Sequence, residues 1–281
     1  MIAGEIRQLA SSDVSNIIQR GGTILKSARS KAFFTPEGRA EAHRQLSERG
    51  ITGVVAIGGD GTFAGARVFC QEHPEMRFIG LPGTIDNDLS GTDYTIGFDT
   101  AINTVVEAVD RIRDTAASHD RLFLVEVMGK DAGFIALASG ISAGAEGILV
   151  PETQTDIDQL IDRLAEGWNR KKSSSIIIVA EGDDAGNAYQ IAEQVKSRLP
   201  HFDTRVTVLG HIQRGGNPTA NDRILASRLG HEAALALLRG EGGHMLGVVN
   251  GKVVATPFSK AIKMHGKMDL GLLHMAEVLA S

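Results

Sequence analysis

Two short stretches of this sequence combine glycine with acidic and hydroxyl side chains, and each follows an apolar run typical of a buried strand. One reads GGDGT at residues 58–62, and the other reads PGTIDND at residues 82–88. Open α/β sheets build ligand sites where their strands end, and glycine allows a phosphate to approach the backbone closely. The two stretches therefore predict a phosphate site whose carboxylates hold a cation or accept a proton.

The GGDGT stretch precedes a predicted helix, and the free backbone N–H groups of a helix start favour phosphate oxygens. Asp60 would repel a phosphate unless a cation lay between them, so binding of Mg²⁺ is the functional role we assign to it. A plain glycine turn in which Asp60 caps the helix explains the motif equally well. Because GGDGT occurs in several kinase families, it indicates a class of enzyme only.

The second stretch places two carboxylates, Asp86 and Asp88, at alternate positions. In an extended loop they would point the same way, so that one accepts a proton from a hydroxyl while the other orients it or binds a metal. A turn of self-capping Asx residues is the structural alternative. The nearby GGDGT stretch favours the catalytic interpretation.

The stretch HIQRGG at residues 211–216 also follows a predicted strand. Its His211 and Arg214 suit a phosphate monoester, because both offer charged or polar donors at short spacing. A surface loop with incidental charge is a slightly better explanation when this motif is considered alone.

Single candidates lie at other strand ends. Lys130 could reach a transferring phosphoryl group, Glu181 could bind sugar hydroxyls, and Met128 is as well explained by packing. Arg121 and Arg205 each begin a predicted strand, where a solvated strand end is the usual interpretation of an isolated arginine.

Strands and helices alternate along most of the sequence, which predicts parallel sheets built from right-handed βαβ units. Strands are expected at 52–57, 77–81, 121–127, 147–150, 175–180 and 204–209, and a hairpin at 248–254 around Asn250-Gly251. Helices are expected at 12–20, 35–50, 61–73, 98–114, 131–143, 156–170, 187–198 and 219–238, before a helical, polar end. These elements exceed one nucleotide-binding half, so we expect two α/β lobes, with chain crossings near Gly97 and Gly210.

Composition excludes several classes of protein. The net charge of −5 and the pI of about 6.0 provide no basic field for nucleic acid or anionic membranes, so any phosphate must be recognised by local cations. The lone Cys70 excludes an internal disulfide and a cysteine-rich zinc site, which fits a reducing cytoplasm. No apolar run reaches the ~18 residues of a membrane span, and the first residues lack a signal-peptide core.

Taken in order, the motifs IGGDGT, LPGTIDND, TIGFDTAINT, VEVMG and VLGHIQRGG resemble those of bacterial-type ATP-dependent 6-phosphofructokinases. The resemblance runs from about Ser12 into the C-terminal region, and PGTIDND and GHIQRGG are its specific parts. It implies an α/β fold of two lobes, each a mostly parallel sheet flanked by helices, with the active site in the cleft between them. Residues 1–97 and 210–260 would bind ATP, and residues 98–209 and 261–281 would bind fructose 6-phosphate.

The resemblance also implies an activity and residue roles. A cytoplasmic homotetramer of glycolysis would use ATP and Mg²⁺ to convert fructose 6-phosphate to fructose 1,6-bisphosphate.

The resemblance assigns the catalytic roles as follows. Asp60 would bind Mg²⁺, and Asp86 would deprotonate the sugar 1-hydroxyl. Thr84 would contact the sugar and the transferred phosphoryl group, and Asp88 would support the metal and the nucleophile. ATP would contact Arg29, Gly59, Asp60, Gly61 and Thr62. The sugar phosphate would contact Met128, Gly129, Lys130, Glu181, His211, Arg214 and, from a neighbouring subunit, Arg121 and Arg205.

Three positions bear on the reaction. Pyrophosphate-using relatives typically carry Asp and Lys where this chain has Gly61 and Gly83, so ATP is expected as the donor. Lys130 replaces the family's arginine, which keeps the charge and loses the forked donor geometry. This change is compatible with a lower transfer rate and does not imply a dead site.

The family's effector site is cationic and lies between subunits. Ser174 replaces a family histidine there. The positions that correspond to its charged residues are Arg20, Arg113, Arg170, Lys172 and the acidic Glu146.

Family members open with a strand, a loop of the type TSGGDAPGMN and a helix, and Met1 falls after that unit. The loop contributes glycine N–H contacts to the ATP phosphates, so the ATP lobe would be incomplete and this chain alone would fold poorly or act weakly.

A mis-set start, a fragment and a degenerate subunit remain open as causes. A truncated non-catalytic or regulatory phosphofructokinase-like subunit is therefore the alternative. A NAD- or lipid-type kinase sharing only GGDGT would not need HIQRGG.

Overall fold

The structure is a computed structural model that describes residues 1–116, 121–169, 174–261 and 268–280. In chain order its helices and strands are α1 Pro36–Ser47, β1 Gly53–Gly58, α2 Asp60–Glu72, β2 Arg77–Pro82, α3 Phe98–Ala116, β3 Arg121–Val127, α4 Phe134–Ser142, β4 Gly147–Leu149, α5 Ile157–Asn169, β5 Ser174–Ala180, α6 Ala188–Arg198, β6 Asp203–Val208, α7 Ala220–Leu238, β7 His244–Val249, β8 Lys252–Pro257 and α8 Leu270–Ala280. Short 3₁₀ helices cover Ser11–Val14, Ala32–Phe34 and Gly210–Arg214.

The chain divides into two compact units. The first unit comprises Met1–Thr84, Leu89–Gly97 and Asn217–Met264, and the second comprises Ile85–Asp88, Phe98–Gly216 and His265–Ser281. The assignment of ATP to one lobe and of the sugar phosphate to the other stays a prediction.

The sheet of the first unit has the strand order β1-β2-β7-β8. β1, β2 and β7 are parallel, and β8 returns antiparallel to β7. The predicted hairpin is confirmed, because Asn250 and Gly251 adopt φ angles of 49° and 73°, as a tight two-residue turn requires. Phe63, Phe69 and Phe78 pack into the core that the sheet shares with α1 and α2.

The sheet of the second unit has the strand order β4-β5-β3-β6, and its pairings are all parallel. β3 and β5 are apolar on both faces because helices cover both sides, as expected for a parallel sheet. The predicted α/β class is therefore confirmed in both units.

Two expected elements differ from the structure. In place of a helix at 12–20 there is only the 3₁₀ turn Ser11–Val14, which buries no residue and leaves Ile18 exposed. A short segment rich in Ser, Asn and Ile has low helix propensity and gains no packing to offset it. The C-terminal element is helical as expected, but α8 is mainly apolar rather than polar.

Across the described ranges, no helix is at once long enough and apolar enough to cross a bilayer.

Candidate active site

The GGDGT stretch lies where β1 ends and α2 begins. Gly59 is the N-cap of α2 and Asp60 is its first residue, so the backbone N–H groups of the first helical turn lie beside the carboxylate. A Cβ on Gly58 would lie 2.2 Å from Thr62 Oγ1, which makes glycine necessary at that tight exit. The loop can thus bind a phosphate through its backbone and a cation through Asp60.

The PGTIDND stretch starts directly beside this loop. β1 and β2 pair in parallel with Gly58 opposite Pro82, and the Gly83 N–H donates to the Gly58 carbonyl at 3.0 Å. A Cβ on Gly59 would lie 3.5 Å from the Cβ of Thr84, which is ordinary van der Waals contact. The structure therefore brings Gly59 and Thr84 together within the first unit.

The two glycines that bear on the phosphoryl donor have different surroundings. Apart from its chain neighbours and the backbone of its own helix, no atom of the described residues lies within 4 Å of a Cβ built on Gly61, so space is open there. A Cβ on Gly83 would lie 2.8 Å from Ile57 Cγ2, so close packing against Ile57 also explains why position 83 is glycine.

Asp86 and Asp88 do not lie on an extended segment, contrary to the expected geometry. Asn87 between them has a φ of 53°, in the left-handed region that asparagine tolerates better than most residues. Asp88 is buried with 6% exposure, whereas Asp86 is half-buried. The turn at Asn87 thus gives the two carboxylates different environments instead of a shared direction.

In the second unit, several predicted residues meet at the carboxyl edge of the sheet. β3 lies between β5 and β6, with Val127 opposite Ala180 and Glu126 opposite Val208. The ends of these three adjacent strands carry Met128, Gly129 and Lys130, then Glu181, then the Gly210–Arg214 helix with His211 and Arg214. This is the edge at which open parallel sheets bind ligands.

Glu181 is held in place by the neighbouring strand end. Its Oε1 accepts a hydrogen bond from the Lys130 N–H at 2.7 Å, and its own N–H donates to the Val127 carbonyl at 2.9 Å. Lys130 adopts a φ of 59°, in the left-handed region, and its side chain is exposed.

The first four residues of the HIQRGG stretch belong to the 3₁₀ helix Gly210–Arg214, and the two glycines follow it. With three residues per turn, His211 and Arg214 fall on one face, and both side chains are exposed. Gln213 faces inward with 1% exposure. Its Oε1 accepts from the Met128 N–H at 3.2 Å and its Nε2 donates to the Gly210 carbonyl at 3.1 Å, which ties the 3₁₀ helix to the end of β3.

The arginines at the other end of this sheet share one carboxylate. Arg121 Nε lies 2.8 Å from Asp203 Oδ2, and Arg205 Nη2 lies 3.0 Å from Asp203 Oδ1. Hydrogen bonds from Arg121 and then from Arg205 hold the pKa of Asp203 below its usual value of 3.8. The structure therefore places these two arginines together on one carboxylate.

A sequence model of the family described as Phosphofructokinase matches residues 1–237. The chain belongs to the phosphofructokinase family. It is 53% identical over 280 residues to ATP-dependent 6-phosphofructokinase 2 of Bacteroides thetaiotaomicron and 55% identical over 280 residues to ATP-dependent 6-phosphofructokinase 1 of Thermus thermophilus. Each alignment covers 100% of this chain and 86% of the relative.

A solved phosphofructokinase structure supports the same assignment. The phosphofructokinase from Saccharomyces cerevisiae matches with a TM-score of 0.85 and 34% identity, over 91% of this chain and 38% of that one. The family resemblance expected from the motifs is confirmed by these comparisons.

The expected effector residues of this phosphofructokinase-family chain are described only in part. Arg113 Nη2 donates to the carbonyls of Ala143 and Gly144 at 2.8 Å each, and its Nη1 lies 3.8 Å from Glu146. Glu146 also accepts from the Ile176 N–H at 2.7 Å. Arg113 thus ties α3 to the turn after α4, and Glu146 ties that turn to β5, so this pair has a structural role whether or not it binds an effector.

The other predicted ligand residues outside the strand ends have no described role. Arg20 and Arg29 lie exposed in the first unit, and Arg170 and Lys172 lie outside the described residues.

Three polar residues that position the site were not identified from the sequence. Gln213 ties the HIQRGG stretch to the end of β3, and Asp203 forms ion pairs with both Arg121 and Arg205. Asp183 accepts hydrogen bonds in the turn that follows Glu181. Thr155 Oγ1 donates to Asp183 Oδ2 at 2.8 Å, and burial raises the pKa of Asp183. Gln213 lies within a family motif, which was an available signal, whereas the other two depend on partners distant in the sequence.

Proposed function

We propose that this protein transfers the γ-phosphoryl group of ATP to the 1-hydroxyl of fructose 6-phosphate. The observation that carries the proposal is the set of side chains at the carboxyl edge of the second sheet. His211 and Arg214 lie on one exposed face and suit a phosphate monoester, while the fixed carboxylate of Glu181 suits sugar hydroxyls. The relatives described above, which are named for this activity, support the same reaction.

The first unit supplies the donor site in this proposal. Backbone N–H groups at the start of α2 bind phosphate oxygens, and Gly59, Gly61 and Thr62 line the nucleotide. The Asp60 carboxylate fits a hard cation, and bound Mg²⁺ would neutralise charge on the phosphates during transfer. Arg29 approaches the nucleotide from the exposed N-terminal segment. Open space around Gly61 supports ATP over pyrophosphate as the donor.

The transfer itself uses the PGTIDND stretch. Asp86 accepts the proton of the sugar 1-hydroxyl while that oxygen forms its bond to the γ-phosphorus, and the bond from this phosphorus to the β–γ bridging oxygen breaks to release ADP. Thr84 orients the moving group, and Lys130 offsets its negative charge. Asp88, more buried than Asp86, supports the position of the nucleophile and metal.

Substrate contacts and assembly complete the proposal. Met128 and Gly129 line the sugar. Arg121 and Arg205 bind the 6-phosphate of a neighbouring subunit's site, so the active form is a homotetramer. The effector site uses Arg20, Arg113, Glu146, Arg170 and Lys172. The lone, unpaired Cys70 supports a cytoplasmic location.

A coupled assay for fructose 1,6-bisphosphate, run with ATP or pyrophosphate as donor, tests this function. Activity is expected with ATP, Mg²⁺ and fructose 6-phosphate, and Asp86→Asn is expected to lower kcat by ~10²–10⁴-fold. Asp110→Asn, on the exposed face of α3, is the matched control and should keep the parent's activity. Equal turnover in Asp86→Asn and the parent would remove Asp86 as the base, and turnover with pyrophosphate alone would overturn ATP as the donor.

A further inference from the structure

Two histidines and a glutamate of the first unit lie together far from its GGDGT loop. His43 is on α1, His73 caps the C-terminal end of α2, and Glu75 lies in the turn that leads to β2. Asp60 begins the same 13-residue helix that His73 ends, so the length of α2 separates them by ~20 Å. No role proposed above uses these three side chains.

The donor atoms of the three side chains form a compact group. One ligand atom from each residue lies within 4.8 Å of the others. His43 Nε2 is 2.6 Å from Glu75 Oε1 and 3.2 Å from Ser47 Oγ. The rings of His43 and His73 stack with centroids 4.0 Å apart and planes within 3° of parallel.

The packing beneath the group positions it. Phe69, which is fully buried, contacts both imidazoles, with ring centroids 6.4 Å from His43 and 4.9 Å from His73. Beside it, Glu72 pairs bidentately with Arg39 at 2.6 Å, which ties the end of α2 to α1. The histidines are half-buried and Glu75 is exposed, so one side of the group is open to water.

We propose that His43, His73 and Glu75 form a binding site for a borderline divalent cation such as Zn²⁺. Two imidazoles and one carboxylate, with an open fourth position for water, match a donor set that zinc takes in proteins. Burial and, after it, the neighbouring His43 lower the pKa of His73.

Binding requires small side-chain movements. The cation takes the place of the hydrogen bond between His43 Nε2 and Glu75 Oε1, so the neutral His43 ring must present Nε2 as a lone pair and carry its N–H on Nδ1. Zinc ligands at bond lengths of about 2.1 Å lie roughly 3.4 Å apart in a tetrahedral site, so the longest ligand separation must shorten. Because lone pairs lie in the ring planes, the imidazoles must also tilt out of their parallel stack.

The bound cation would connect α1, the end of α2 and the turn before β2. Because it binds the folded chain and its site is absent from the unfolded one, it should raise thermal stability by an amount that grows with the logarithm of its concentration once this exceeds the dissociation constant. Its role is structural, distinct from that of Mg²⁺ at Asp60.

The test uses the purified full chain, freed of metal with a chelator. Equilibrium dialysis against Zn²⁺ at pH 7.5 is expected to give one bound ion per chain at the site, with a rise in Tm, in the presence of excess Mg²⁺. His43→Gln and His73→Gln should each weaken binding by more than about tenfold, and Glu75→Gln should weaken it less. His201→Gln, which changes an exposed histidine elsewhere, should bind like the parent.

A spectroscopic measurement on the parent protein identifies the metal ligands directly, so the test does not depend on variants that fold. Cu²⁺ loaded at one equivalent should show hyperfine coupling to two imidazole nitrogens by electron paramagnetic resonance. The proposal is overturned if the parent binds no stoichiometric Zn²⁺, if Cu²⁺ shows fewer than two nitrogens, or if a folded His43→Gln/His73→Gln chain binds as the parent does.

Discussion

The backbone N–H of Lys130 donates a 2.7 Å hydrogen bond to Oε1 of Glu181, which joins the ends of the adjacent strands β3 and β5. One carboxylate oxygen of Glu181 is therefore occupied by the protein, and its orientation is set before any ligand arrives. Within the described residues no hydrogen bond engages the second oxygen, so Glu181 would be a preorganised acceptor for a hydroxyl in the proposed sugar contact.

Replacing Glu181 by Ala is expected to raise KM for fructose 6-phosphate by about 10- to 100-fold, because a hydrogen bond to a charged group contributes ~1.5–3 kcal/mol. KM for ATP should change little. Initial-rate kinetics with each substrate varied in turn measure both values. Glu193→Ala, an exposed position on α6, is the control. A variant whose two KM values rose equally would point to general damage rather than to a sugar contact.

Substitutions at Lys130 separate two effects: that of its charge on phosphoryl transfer and that of its left-handed backbone on stability. Its φ of 59° costs a side chain roughly 1–2 kcal/mol, so Lys130→Gly is expected to raise the free energy of unfolding by up to about that amount. The same change removes the cation and should lower kcat. Urea unfolding and steady-state kinetics on the same samples check the two opposite effects.

Lys130→Arg is the companion variant, because it restores the forked donor that family members carry at this position. It is expected to match or exceed the parent's kcat. A lower kcat in Lys130→Arg together with an unchanged kcat in Lys130→Gly would show that the charge at 130 takes no part in transfer.

The strand ends could be predicted from the sequence because each apolar run stops at glycine or at a charged residue. That signal is local, and it located GGDGT, Met128 to Lys130, Glu181 and HIQRGG at the edges where the structure has them. Family motifs added residue roles that composition and periodicity do not contain.

What could not be predicted depends on tertiary partners. Asp203 acquires its importance from Arg121, which is 82 positions away, and Gln213 from Met128, which is 85 positions away. The direction of Asp86 relative to Asp88 depends on one φ angle at Asn87. The predicted helix at 12–20 was wrong for a related reason. Hydrophobic periodicity does not show whether the apolar face of a helix has a surface to pack against, and without such packing a short helix is unstable.

Gly61 and Gly83 should respond differently to the same added methyl group. Gly61→Ala places it in open space within the first turn of α2 and is expected to stabilise the chain by up to ~1 kcal/mol while weakening ATP binding. Gly83→Ala directs its methyl group against Ile57 and is expected to destabilise by ~1–3 kcal/mol. Denaturant unfolding of both variants, with KM for ATP, makes the comparison. Equal stability losses would contradict the difference in space at the two positions.

The Arg121–Asp203–Arg205 cluster predicts a specific acid sensitivity. Because the folded-state pKa of Asp203 is lowered, its stabilising contribution is present above the usual value of 3.8 and is lost as pH falls through the lowered value. The difference in unfolding free energy between the parent and Asp203→Asn should be constant above the usual pKa of 3.8. It should shrink as pH falls below 3.8 and through the lowered pKa of the folded state. A difference that grew on acidification would contradict the lowered pKa.

The proposed sharing of sites between subunits can be tested by complementation. Arg121→Ala/Arg205→Ala chains keep their own Asp86, whereas Asp86→Asn chains keep both arginines, and each should be nearly inactive alone. If the arginines act on a neighbour's substrate, co-expressed chains form some sites with an intact base and intact cations, so activity should rise well above the sum of the two. A chain carrying all three substitutions, co-expressed with Asp86→Asn, is the control and should restore nothing. Activity equal to the sum would place the arginines and Asp86 in the same chain's site, because then no pairing of these variants assembles a complete one.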